Sequence, residues 1–158
     1  MFIKNQRGVS ILEVLFILMI VAIVMSMGFS AYRVWQRQVL LTNTRDELKS
    51  ALVRAQQLAT AAADNRAWGM RLATSSYTIF PGNFYNDSDP DSKTWELRDI
   101  EIVDSYITFA DGAGGYSSDV VFSKFDGDTY NTGTVSIIVS AQAELSKNIT
   151  VLSSGQID

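Results

Sequence analysis

The chemically pointed residues of this chain are carboxylates, because there is no His and no Cys anywhere in its 158 residues. The absence of His removes the commonest general base and metal ligand, and the absence of Cys removes thiol chemistry and any disulfide framework. Serines are plentiful, but no base can be read beside them, so no enzyme and no cofactor are expected. Glu13 stands inside an apolar run, where a central charge costs roughly 2.5–3.5 kcal/mol and therefore calls for a partner of opposite sign. Asp87, Asp89 and Asp91 alternate along a polar loop, as hard oxygen sites for calcium do at their start. The EF-hand pattern fails there, with Ser92 at the sixth position in place of Gly and Arg98 at the twelfth in place of Glu. These three are weak metal candidates, and a solvated loop is the expected reading. Asp126-Gly127-Asp128 reads as a hairpin turn whose Gly supplies positive φ.

The element that must position Glu13 is a helix. Lys4 and Arg7 precede Gly8, and from Val14 to Ala31 only Ser26, Gly28 and Ser30 interrupt an apolar sequence. Counted from Ile11, the run reaches the ~20 residues that cross a ~30 Å hydrocarbon core. The basic leader puts the N-terminus in the cytoplasm and everything after Tyr32 outside, with Tyr32 and Trp35 at the far interface. A cleaved secretory signal fits poorly, since the run is too long and no small-x-small site follows it. Between Trp35 and Ala63 there is neither Gly nor Pro. Leu41, Leu48, Leu52, Ala55, Leu58, Ala59 and Ala62 form one apolar stripe, away from Arg45, Lys49, Arg54 and Gln57. One helix from about Ser10 to Ala63, ~80 Å long, is expected. Asp64-Asn65 would end it, and the alanines from Ala55 to Ala63 would let a sheet approach closely.

After Asn65 the period changes to two. Trp68, Met70 and Leu72 alternate with small or polar residues, Thr74-Ser75-Ser76 turns, and Tyr77, Ile79 and Phe80 return as a hairpin. Further strands are expected at Thr94–Arg98, Ile100–Val103, Tyr106–Phe109, Val120–Ser123, Val135–Ser140 and Ile149–Leu152, between Gly- and Asp-rich turns. The fold class is therefore α+β, a long N-terminal helix on an antiparallel sheet head, a lollipop. From Asp64 onward six bases face fourteen acids, a net −8, whereas residues 9–63 carry five bases and three acids. An acidic head without a basic patch argues against direct nucleic-acid binding.

The stretch Lys4-Asn5-Gln6-Arg7-Gly8-Val9-Ser10-Ile11-Leu12-Glu13-Val14 resembles the type IV pilin family, which includes the pseudopilins of type II secretion. The resemblance implies cleavage after Gly8 by a prepilin peptidase, N-methylation of Val9, and an assembly role for Glu13, the fifth mature residue. There Glu13 would neutralise the terminal ammonium of a neighbouring subunit as helices bundle. Val9 stands where major pilins usually have Phe, and Ser30 where many have Pro, which fits a minor subunit better than the bulk filament protein.

The alanine-rich helix running into a Trp-bearing hairpin, Val120-Val121-Phe122-Ser123, and the final Ile149-Thr150-Val151-Leu152-Ser153-Ser154-Gly155-Gln156-Ile157 look like GspH-type pseudopilins and FimT-type minor pilins. The organisation implied is a leader at 1–8, a transmembrane segment at 9–32, an amphipathic half-helix at 33–64 and a β-rich head at 65–158. The implied function is a structural subunit of a type II secretion pseudopilus or a type IV pilus. It would be single-pass in the inner membrane, with its head periplasmic or extracellular. Its partners would be the peptidase, other pilin or pseudopilin subunits, the inner-membrane assembly platform and membrane lipid. The alternative is an adhesive, ligand- or DNA-binding minor pilin acting through head loops around Phe84-Tyr85 and Gly114-Gly115-Tyr116.

Overall fold

The structure is a computed structural model describing residues 10–97, 100–102, 107, 109–111, 114–139 and 142–158, with the backbone alone at 27–31, 101 and 142–144. Helix α1 runs over Ile11–Thr60, 50 residues. Its ladder begins at Ser10, whose carbonyl accepts the N–H groups of Glu13 at 3.0 Å and Val14 at 3.2 Å. The helix ends three residues before the expected Ala63. Ala62 turns left-handed at φ 49, and a 3-10 turn, Ala63–Asn65, follows with Asp64 at φ 53 and Asn65 at φ 60. Non-Gly residues adopt such angles at a cost of roughly 1–2 kcal/mol each. The cost is offset because the freed carbonyls find donors: Phe125 N–H reaches Ala59 O at 3.1 Å, and the Trp68 indole reaches Ala63 O at 3.1 Å.

The chain forms two compact units, Met1–Arg37 and Gln38–Asp158. In the first, the described side chains from Ile11 to Met25 are exposed, Ile11 at 82% and Leu12 at 70%, so this apolar surface covers nothing of its own unit. In the second, Leu41, Leu48, Ala51, Leu52, Ala55 and Ala59 of α1 are buried in one core with strand residues. This is the expected stripe, with Leu58 and Ala62 only half-buried at its edge.

The strands are β1 (Trp68–Ala73), β2 (Ser76–Pro81), β3 (Lys93–Glu96), β4 (Ile100–Ile102), β5 (Phe109–Ala110), β6 (Tyr116–Ser117), β7 (Asp119–Phe122), β8 (Gly133–Val139) and β9 (Gln142–Val151). Among the described residues they form a four-stranded sheet in the order β3-β2-β1-β7, a three-stranded sheet β4-β8-β9 and a β5-β6 ribbon, all antiparallel. In β8, Val135, Ile137 and Val139 alternate inward, as a period of two requires. β3 ends at Glu96, leaving Leu97 outside it, and β5 begins at Phe109. The calls on Arg98, Val103, Tyr106 and Ser140 lie outside the described residues.

The largest correction is β9, expected from Ile149 and found from Gln142. Ser146, Lys147 and Asn148 are exposed on this edge strand, so backbone pairing with β8 rather than an apolar face holds them. β6 was not anticipated either, being two residues long. β2 breaks alternation, with Tyr77 through Pro81 all buried, because both faces of the sheet are covered. Tyr77 and Ile79 join the helix-facing core, while Phe80 points the other way and packs edge-on against Tyr85 at 5.5 Å.

A chain beginning at Gln38 is expected to fold and stay soluble, since it keeps Leu41, Leu48 and Leu52 over the strands. One beginning at Asp64 is expected to aggregate, because the apolar sheet face loses its cover. Size-exclusion chromatography and circular dichroism of both decide it. A soluble, cooperatively unfolding shorter chain would show that α1 is not part of this core.

Candidate functional site

Gly8 and Val9 lie outside the described residues. Glu13 lies in the first turn of α1 and is exposed, surrounded along the helix by exposed Ile11, Leu12, Val14, Ile17 and other apolar side chains. A carboxylate in this turn also faces the positive end of the helix dipole, a contribution of roughly 0.3–1 kcal/mol. Among the described residues no helix is long and apolar enough to cross a membrane. The side chains of 27–31 are outside that set, so the apolar run that can be followed stops at Ser26.

Two of the three alternating acids converge on an arginine, and the third turns to a tyrosine. Arg66 pairs with Asp89 at 3.5 Å and Asp91 at 3.6 Å, and Asp87 accepts the Tyr85 hydroxyl at 2.8 Å. Among the described residues no cluster of three or more acids could hold a metal ion. Tyr85 instead lies over the outer face of the four-stranded sheet. Phe80 is buried beneath Tyr85, the Arg71 guanidinium lies 4.5 Å from the Tyr85 ring, and Arg71 also pairs with Asp119 across β1 and β7 at 3.7 Å. Burial pushes the Asp119 carboxyl up, and Arg71 and the Ser118 hydroxyl pull it back. On the opposite face Tyr77 donates to Glu47 of α1 at 2.9 Å, and burial first, then that bond and charge, holds its hydroxyl neutral well above the usual tyrosine range.

The end of α1 is closed by two turns that meet on Gln56. Gln56 Nε2 donates to Gly127 O at 3.1 Å, and Gly127, at φ 71, is the turn glycine anticipated between Asp126 and Asp128. The C-terminal segment doubles back on β9, with Asp158 N–H on Thr150 O at 2.9 Å, and places Gly155 against the same two groups.

Beside these turns runs a polar groove. A hollow of about 480 Å³ is lined by Asn83, Phe84, Asp119, Ser123, Tyr130 and Asn131, among others. Ser117 also lines a second hollow beside Tyr116, and Ser123 and Tyr130 also line a third beside Asp126, Asp128 and Ser153. The floor is held by its own bonds: Asn131 accepts Val121 N–H at 3.0 Å and donates to Ala110 O at 2.7 Å, and Thr129 donates to Val121 O at 2.7 Å. Sequence reading singled out Phe84 and Tyr116 but missed Tyr130, Asn131 and Asp119, which lie far from Phe84 in the chain. The available signal was Tyr130-Asn131-Thr132-Gly133, an aromatic set in a turn-forming run.

A long helix laid on antiparallel strands has counterparts among solved structures. The type IV minor pilin FimU of Pseudomonas aeruginosa matches in two crystal forms, each at TM-score 0.53 over 75% of this chain. Identity is 14% with 90% of the FimU chain covered in one form, and 13% with 86% covered in the other. The fold is pilin-like. EpsH, the minor pseudopilin of the Vibrio cholerae Type 2 Secretion System, matches at TM-score 0.50 and 13% identity, over 75% of this chain and 94% of its own. No protein-family model matches the sequence, and no curated protein does. The α+β class and the helix-on-sheet arrangement expected from the periodicity of the sequence are thus the ones found, and shared architecture at these identities speaks for fold.

Proposed function

We propose that this chain is a minor pilin or pseudopilin, a structural subunit that enters a pilin-type filament through its N-terminal helix. The observation that carries the reading is the division of α1. Its second half covers strands, while Ile11 to Met25 stay exposed around the single carboxylate Glu13. Apolar surface of this extent is costly in water and needs lipid or other helices around it. The sequence continues apolar to Ala31, long enough for a bilayer, so the subunit would wait in the inner membrane with its head outside. Prepilin peptidase would cut between Gly8 and Val9 and methylate Val9. Glu13 would then meet the terminal ammonium of a neighbour as the assembly platform adds subunits.

The test is intact-mass and N-terminal peptide spectrometry of protein extracted from membranes that contain a prepilin peptidase. A chain starting at methylated Val9 is expected, and Gly8→Arg should leave the eight-residue leader in place. A mature terminus elsewhere, or normal processing of Gly8→Arg, would overturn the assignment.

A further inference from the structure

We infer that the groove across the head binds a neutral, hydroxyl-rich glycan strand. Its three hollows, about 350, 480 and 460 Å³, are neighbours, the first two sharing Ser117 and the last two Ser123 and Tyr130, a row suited to a linear polymer rather than a compact ligand. Three aromatic rings stand along it almost wholly exposed: Tyr116 at 76%, Phe84 at 86% and Tyr130 at 84%. A scattered exposed aromatic needs no explanation, but three along one groove over a bonded polar floor make a set of flat apolar platforms beside hydrogen-bonding groups. Pyranose rings offer the matching surface, a face of weakly positive C–H groups for the negative aromatic face and a rim of hydroxyls for carboxylates, amides and serines.

Charge selects among polymers. Among the described lining residues Asp111, Asp119, Asp126 and Asp128 face one base, Arg71, which is already paired with Asp119 and seated on Tyr85. Such a channel repels nucleic acids and acidic polysaccharides and accepts neutral sugars, whose hydroxyls donate to carboxylates. The inference stands apart from the filament reading, since it concerns only residues of the head.

The full chain in lipid nanodiscs, without sugar-headed detergent, would be titrated with cellohexaose, N-acetylchitohexaose and maltohexaose by saturation-transfer difference NMR. Saturable transfer to at least one hexasaccharide is expected, strongest at ring C–H protons. Phe84→Ala and Tyr130→Ala should each weaken it about tenfold. Phe84→Trp and Tyr130→Trp should keep it, and an unchanged thermal midpoint would show that these exposed positions leave the fold intact. No transfer to any of the three, equal transfer with the double alanine variant, or saturation by octalysine but by no sugar would each overturn the inference, the last in favour of a cationic peptide.

Discussion

Replacing Glu13 with Ala is expected to leave synthesis, membrane insertion and leader removal intact while depleting the subunit from sheared filaments about a hundredfold. Removing one member of a buried ion pair strands the other charge, at a cost on the order of 3–5 kcal/mol. Glu13→Gln should do nearly the same, because an amide of equal size cannot neutralise an ammonium. The magnitude separates this role from a local one. Glu13 lies in the first turn of α1, where favourable interaction with the helix dipole is worth only roughly 0.3–1 kcal/mol and its loss would change incorporation a few-fold at most. Quantitative immunoblots of filament and inner-membrane fractions, normalised to the major subunit, distinguish the two. Incorporation of both variants within a few-fold of normal would mean that the carboxylate serves its own helix and has no partner across subunits.

Gly155→Ala is the second large effect, on stability, with an expected loss of about 3 kcal/mol or more. The backbone there has φ 74, which costs an L side chain roughly 1–2 kcal/mol. An added Cβ would also collide with Gly127 O and Gln56 Nε2, a hydrogen-bonded acceptor and donor. The methyl group would therefore push apart the two turns that close the end of α1, breaking a bond as well as straining the backbone. Thermal unfolding of the full chain in detergent should show a midpoint lower by ~10 °C or more, with exposed Ser154→Ala as the neutral control. Gln56→Ala in the Gly155→Ala background should recover part of the loss by making room. An unchanged midpoint for Gly155→Ala would show that these turns add nothing to the stability of the head.

The contrast between these two residues follows how local the signal of each is in the sequence. Glu13, the apolar run around it and the leucine stripe at Leu41, Leu48 and Leu52 were legible because helical periodicity and the cost of a charge in apolar surroundings are local properties. The β1–β2 hairpin was legible for the same reason, with its two strands joined by the short turn at Thr74-Ser75. Three-dimensional packing decided the rest. α1 stops at Thr60 because Phe125, 66 residues downstream of Ala59, supplies a donor to the last turn. The polar start of β9 is a strand because β8 pairs with it, not because its side chains favour one. Asp89 and Asp91, suggestive of a cation in the sequence, turn to Arg66 in the folded chain. Gly155 meets Gln56, and Phe84 comes to line one groove with Tyr130, only in the folded chain. Periodicity and residue cost determined the helix, the lone carboxylate of its apolar half and the α+β class, whereas long-range hydrogen bonds and steric fit decided where elements end, which acids pair and which aromatics share a surface.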